Sequence, residues 1–269
     1  MTIHKDKRIQ ELEKIIVKAG KEIMNIYALE DRGVSYKQDE SPLTIADKKA
    51  HEIIFQGLQN LQEAHGFIGE ENKNQPYEKR RKTPTHWMVD PLDGTKEFVS
   101  RNGEFTVNIA LIKEGTPYLG MVFIPVTEEL FYAELGSGSW YKKNTRAAPE
   151  PIQVNSFLWK DEGLRVLCSR SHLNTATQTM LEQLNKPKKI AAGSALKFLR
   201  IAQGKAEVYP RIAPTMEWDT AAAEIILTEA GGQVIQWPSK AKMKYNKEDL
   251  TNPHFIAFGA AIDELPFEK

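Results

Sequence analysis

The 269 residues carry 36 Lys and Arg against 36 Asp and Glu, so the formal charge is zero, and 41% of the chain is apolar. This balance lacks the basic excess through which nucleic-acid polymers are bound, and it gives no sign of a disordered acidic or basic tail. The single cysteine, Cys168, excludes an intramolecular disulfide and thiolate-rich zinc sites, and the longest apolar run, Leu119 to Val126, is too short to span a bilayer. Ile9, Leu12, Ile16, Ala19, Ile23 and Ile26 recur three or four residues apart and predict an opening amphipathic helix. A second helix is predicted from about Ala46 to Leu61, with Ile53, Ile54, Leu58 and Leu61 as its apolar stripe. Thr44 to Asp47 matches a capping box at its start.

His86 to Val89, Phe105 to Ile112, Tyr118 to Ile124 and Glu129 to Leu135 read as strands. Lys143 to Pro151 holds two prolines and no apolar period, which marks a boundary between residues 1–150 and 151–269. Beyond it, Leu164 to Cys168 and Ala206 to Tyr209 read as strands. Thr175 to Leu184, Ser194 to Gln203 and Trp218 to Ala230 read as helices, the last closed by Gly231 and Gly232. Strands and helices mixed without strict alternation predict a layered α+β fold.

The most informative stretch is Trp87-Met-Val-Asp-Pro-Leu-Asp-Gly-Thr-Lys-Glu-Phe98. An apolar strand delivers Asp90, Pro91 predicts a turn, Asp93 follows, and Gly94 and Thr95 open a short helix. Carboxylates at a strand end suit hard divalent cations, and backbone N–H groups at a helix start suit phosphate. Three other motifs fail on counting. An EF-hand beginning at Asp90 needs Glu at its twelfth position, where Arg101 stands. A phospho-aspartate mechanism of the haloacid dehalogenase type needs Asp where Pro91 stands, and no P-loop sequence is present.

Taken singly, each acidic element also has a plain structural reading. The Asp-Pro-Leu-Asp run can be an Asx turn, Gly69-Glu70-Glu71 a solvated turn, and Asp219, in Trp218-Asp219, the N-cap of a helix rich in small residues. The combination is what points to a site. Gly-Glu-Glu, then Asp-Pro-Leu-Asp-Gly-Thr, then Trp-Asp before small residues, resembles the inositol monophosphatase-like superfamily of lithium-sensitive, magnesium-dependent phosphatases, from about Ser41 to Gly232. Within it the chain looks most like the bacterial 3'(2'),5'-bisphosphate nucleotidases. The segments that carry this are Asp93-Gly-Thr-Lys-Glu-Phe98, Gly103-Glu-Phe-Thr-Val-Asn-Ile-Ala-Leu111, Ser169-Arg-Ser-His172 and Tyr209-Pro-Arg211.

The resemblance implies a layered α/β/α/β/α sandwich of the inositol monophosphatase and fructose-1,6-bisphosphatase type. Residues 1–150 would supply most metal ligands, and residues 151–269 would complete the metal and substrate site. Carried over by position, Glu70, Asp90 and the Leu92 carbonyl would hold one Mg2+, and Asp90, Asp93 and Asp219 a second, with two or three ions in all. Thr95, oriented by Asp47 and assisted by Glu70, would position or deprotonate the attacking water without a covalent intermediate. Glu71 would support the ligand set. Leu92, Gly94, Thr95 and Asp219 would face the phosphate being cleaved, and Lys197 and Arg211 the substrate's other phosphate. Arg170 and His172 are weaker candidates for nucleotide contact.

The activity implied is removal of the 3'-phosphate of 3'-phosphoadenosine 5'-phosphate to give AMP. An inositol or sugar monophosphatase and a non-catalytic metal or nucleotide sensor are the alternatives. The presence of the Thr95–Asp47 pair argues against the sensor. Glu217, beside Asp219, departs from the uncharged residue usual there and bears on the pocket's electrostatics. Lys79 to Lys82 reads as a solvated loop, with a flap over the site as the alternative, and Lys240 to Lys247 as an exposed face. The expected partner is a small nucleotide, with no nucleic-acid polymer and no integral membrane segment, and a homodimer is open. The expected place is the cytoplasm, with a peripheral position on the inner membrane also open.

Overall fold

The computed structural model describes residues 3, 6–30, 35–36, 42–61, 65–72, 74–169 and 174–267. The elements in chain order are α1 (Lys7–Tyr27), β1 (Ser35–Tyr36), β2 (Pro42–Leu43), α2 (Ile45–Gln59), β3 (Gly66–Gly69), α3 (Tyr77–Arg80), β4 (Thr85–Asp93) and α4 (Thr95–Val99). There follow β5 (Thr106–Lys113), β6 (Thr116–Ile124), β7 (Glu129–Glu134), β8 (Ser139–Lys142), β9 (Glu150–Ile152), β10 (Ser156–Phe157) and β11 (Arg165–Cys168). The chain closes with α5 (Thr175–Glu182), β12 (Lys188–Ala191), α6 (Leu196–Ala202), β13 (Val208–Arg211), α7 (Glu217–Glu229), β14 (Gln233–Gln236), β15 (Phe255–Phe258) and β16 (Ala260–Ala261).

Two sheets carry the architecture. Strands β3 to β9 form a seven-stranded sheet in sequence order, antiparallel except for the β3–β4 pair. A five-stranded sheet has the order β12-β11-β13-β15-β14, parallel on the β12 side and antiparallel on the β14 side. Alternation along the strands sends successive side chains to opposite faces and so builds a core on each. Trp87, Val89, Ile109 and Met121 meet the apolar stripe of α1 and the Ile54 and Leu58 face of α2. Met88, Ala110, Val122 and Phe131 face the other way, onto α6 and α7, and beyond them lie Tyr209 and Phe255 of the second sheet. The outer face of that sheet, with Val166, Val208 and Ile256, packs on α5 through Met180 and Leu181. The layers are therefore α1/α2, sheet, α6/α7, sheet, α5, which is the α/β/α/β/α sandwich expected.

The first sheet continues to Ile152, so the predicted boundary segment 143–151 carries most of a strand, β9. Among the described residues no helix is long and apolar enough to cross a membrane. Two basic runs read as solvated are partly internal. Arg80 is buried, and so are Met243 and Tyr245 within the 240–247 run, while Lys79, Arg81, Lys240, Lys242 and Lys244 are exposed.

Helix α7, sandwiched between the sheets, is buried on nearly every side, and Gly120 on β6 admits it. A Cβ at Gly120 would stand 2.3 Å from the Ala222 carbonyl oxygen. The helix also carries a buried acid: Glu224, which accepts a hydrogen bond from the Tyr245 hydroxyl. Burial raises Glu224 from 4.5 to about 7, against the opposing hydrogen bond. The folded protein thus keeps a proton that the unfolded chain releases. The stability this gives is complete below pH 4.5 and is lost as pH rises through about 7. Glu224→Gln keeps an acceptor without the charge. Its expected result in denaturant unfolding is near-parity with wild type at pH 5 and a gain of about 2 kcal/mol at pH 8. Equal stabilities at pH 8 would remove Glu224 as the source of that pH dependence.

Candidate active site

Asp90 and Asp93 are three apart on one strand, and simple alternation would place them on opposite faces. A bulge corrects this. On β5, Asn108 pairs with Asp90 and Thr106 with Asp93, so three steps on β4 oppose two on β5. The extra residue restores the phase and brings both carboxylates to one side. Pro91 sits within the continuing strand β4, and the Asx turn read from sequence is present there as a side-chain contact. The Asp90 carboxylate accepts from the Leu92 N–H at 3.0 Å.

Gly94 ends the strand at φ 93, a conformation natural to glycine. A Cβ there would meet Ser194 Oγ at 2.2 Å. Ser194 bridges residues 93–104 and α6. Its hydroxyl lies 2.9 Å from the Asp93 carbonyl and 2.7 Å from that of Glu104. The next N–H, of Ala195, donates to Asp93 Oδ2 at 2.7 Å. Thr106 and Asn108 approach the same oxygen at 3.4 Å. Neither Ser194 nor Ala195 is evident from sequence as a site residue, because a backbone donor leaves no signature in residue type.

Asp47 has two tasks. As the third residue of α2 it closes the predicted capping box, accepting from the Thr44 N–H at 2.7 Å. Its other oxygen accepts from the Thr95 hydroxyl at 3.1 Å. Burial raises Asp47 from 3.8 to about 6, against the hydrogen bonds from Thr44. The Thr95 oxygen is also 3.3 Å from the Leu92 carbonyl, so Thr95 stands between the two.

Asp219 is the third residue of α7 and not its N-cap; Met216 is the cap, and its N–H donates to Asp219 Oδ2 at 2.8 Å. Burial drives Asp90 well above the ordinary carboxylate range, and the charges of Glu70, Asp93 and Asp219 push the same way. Asp219 is raised by burial and then by Asp93, and Asp93 by burial against the opposing Lys197 ammonium. Four carboxylates from both halves therefore share one electrostatic neighbourhood. Among the described residues no three His, Cys, Asp or Glu side chains form a finished ion cage. Asp90 and Glu70 are nevertheless in side-chain hydrogen-bond contact, which raises Asp90 further. The donor set, oxygen alone and anionic, fits a hard divalent ion such as Mg2+.

Beside these groups opens a cleft of about 160 Å³, lined by Asp93, Gly94, Lys96, Lys197, Arg211 and Asp219 among others. Lys197 is 5% exposed, and its ammonium donates to the carbonyls of Ala192 at 3.1 Å and Ser194 at 2.7 Å. Burial lowers it to about 8, against the pull of Asp93. Arg211 donates from Nη2 to the Pro214 carbonyl at 3.0 Å, while its Nε is buried without a hydrogen-bond partner. Arg170 and His172 lie outside the described residues. Glu217 points away from the cleft: fully buried, it accepts from the Asn246 and Lys247 N–H groups and the Lys247 ammonium. Its charge is answered there and does not enter the cleft's balance.

The chain belongs to the inositol monophosphatase family, whose sequence pattern matches residues 4–262. It is 39% identical to the 3'(2'),5'-bisphosphate nucleotidase CysQ of Salmonella typhimurium over 92% of this chain and 98% of that one. To the protein of the same name from Escherichia coli K12 it is 40% identical, over 88% and 94%. Among solved structures, CysQ of Bacteroides thetaiotaomicron, described as a bacterial member of the inositol monophosphatase family, superposes with a TM-score of 0.84 at 37% identity. That match covers 96% of this chain and 99% of the other.

Proposed function

We propose that this protein is a magnesium-dependent bisphosphate nucleotidase that removes the 3'-phosphate of 3'-phosphoadenosine 5'-phosphate, giving AMP and phosphate. The observation that carries the reading is the convergence of Glu70, Asp90, Asp93 and Asp219 beside the Asp47–Thr95 pair and a cleft with cations in its wall. The similarity to bisphosphate nucleotidases over nearly the whole chain supports the substrate class.

Glu70, Asp90, the Leu92 carbonyl, Asp93 and Asp219 would hold the ions. Bound Mg2+ supplies charge stabilisation for the phosphoryl group in transfer and acidifies water. The chain's own part is positional. Thr95 Oγ accepts the proton side of the incoming water while its own hydrogen stays directed at Asp47 Oδ1. With Asp47 at about 6, its carboxylate is ionised at neutral pH yet near enough to take up a proton. The N–H groups of Gly94 and Thr95 suit the cleaved phosphate, and the Arg211 guanidinium in the cleft wall suits the second one. Pro91 stands where a phospho-aspartate nucleophile would have to be, which supports direct attack of water on phosphorus.

The test is phosphate release from 3'-phosphoadenosine 5'-phosphate and from inositol 1-phosphate under identical conditions. The expected result is a preference for the nucleotide, reduced at least about tenfold by Arg211→Met through a raised KM. Preference for inositol phosphate would establish the monophosphatase alternative, and turnover of neither would favour the sensor.

A further inference from the structure

A hydrogen-bonded strap joins the turn that carries Glu70 to the helix that carries Asp219, and its middle lies away from the cleft. Asn74 grips Gly69 on both sides: the Gly69 N–H donates to Asn74 Oδ1 and Asn74 Nδ2 donates to the Gly69 carbonyl, each at 3.1 Å. The next residue, Gln75, accepts from Arg80 Nε at 2.9 Å. Arg80 is 5% exposed, and the rest of its guanidinium reaches residues 246–248 of the second half. Nη1 donates to Asn246 Oδ1, and Nη2 to the carbonyls of Lys247 and Glu248 at 3.0 and 3.3 Å. The same turn donates its own N–H groups to the buried Glu217, from Lys247 at 3.1 Å and from Asn246. Glu217 is the first residue of α7 and Asp219 the third.

We infer that Arg80 is a positioning residue that sets the placement of Glu70 relative to Asp219. The inference rests on the proposed reading of those two carboxylates as ion ligands. Each carboxylate comes from a different half of the molecule, so an ion site needs something to fix one half against the other. Arg80 does this with a planar fork that meets four acceptors from three directions, which a lysine ammonium on a flexible stem does not reproduce. Glu217, unusual at its position in the resembled family, is the buried anchor at the far end. Asn246 holds φ 59, in the left-handed region where asparagine is tolerated, so the turn presents its side chain to Arg80 and its N–H to Glu217.

The experiment measures Mn2+ binding to the substrate-free protein by electron paramagnetic resonance, with kcat and KM alongside, for wild type, Arg80→Met, Arg80→Lys and Asn246→Gly. Mn2+ takes the same oxygen ligands as Mg2+. In Arg80→Met the Mn2+ dissociation constant is expected to rise about tenfold and kcat to fall by a similar factor, with KM little changed. Arg80→Lys should recover part of both. Asn246→Gly, which suits the left-handed backbone and removes one acceptor, should shift both the same way by about threefold. It decides the matter if Arg80→Met does not fold. Lower melting temperatures with unchanged Mn2+ affinity would reduce the strap to a fold-stabilising contact and overturn the inference. Wild type that binds no Mn2+ would overturn the ion-site reading itself, whereas wild type and variants binding equally would overturn the strap alone.

Discussion

Asp93→Asn should lower kcat by at least about 10²-fold and leave the fold intact. Asp93 is one of the residues that join the first sheet to residues 194–195. Its Oδ2 takes the Ala195 N–H at 2.7 Å, and its backbone carbonyl takes the Ser194 hydroxyl. An asparagine oxygen can still accept from Ala195, so the contact between halves survives the substitution. What disappears is the negative charge that answers the Lys197 ammonium and completes the acidic set. The measurement is kcat at saturating Mg2+, paired with thermal unfolding. Retention of a tenth or more of wild-type turnover, with an unchanged melting temperature, would take Asp93 out of the ligand set.

Thr95→Ala should cost about 10²-fold in kcat, and Asp47→Asn a similar amount. The two groups act as a unit, joined by the 3.1 Å bond from the Thr95 hydroxyl to Asp47 Oδ1. The double variant is therefore expected to lose little more than either single one, the pattern of residues that share one task. Thr95→Ser, which keeps the hydroxyl, should restore most of the rate. The same Asp47 carboxylate also closes the capping box of α2 with Thr44. An asparagine oxygen can still accept from the Thr44 N–H and Thr44 remains the N-cap, so the melting temperatures of Asp47→Asn and Thr95→Ala should both stay close to that of wild type. Strictly additive losses in the double variant would mean that Thr95 and Asp47 serve separate steps.

Much of this was legible in the residues because it rests on short-range rules. The apolar stripe from Ile9 to Ile26, the Thr44–Asp47 capping box and the glycines after α7 each follow from local spacing. The acidic constellation was legible because its members are fixed by type. Other features depend on partners far away in sequence. The bulge that brings Asp90 and Asp93 to one side is a property of pairing with β5, and nothing in Asp-Pro-Leu-Asp distinguishes it from a turn. Arg80 sits in a basic run that reads as solvated because three of its four acceptors lie more than 160 residues away. Edge strand β12, Lys188–Ala191, shows no alternation because all four residues are exposed. Lys197, expected to face the substrate's other phosphate, lines the cleft, and two of its donors are committed to the carbonyls of Ala192 and Ser194, contacts that residue type does not reveal.

The most direct measurement follows the phosphorus of 3'-phosphoadenosine 5'-phosphate by 31P NMR as the protein acts on it with Mg2+, with EDTA, and with Mg2+ restored. With Mg2+, 5'-AMP and inorganic phosphate should appear; EDTA should stop the reaction, and restored Mg2+ should restart it. Release of the 5'-phosphate, giving 3'-AMP, or turnover that EDTA does not affect, would contradict the proposed function.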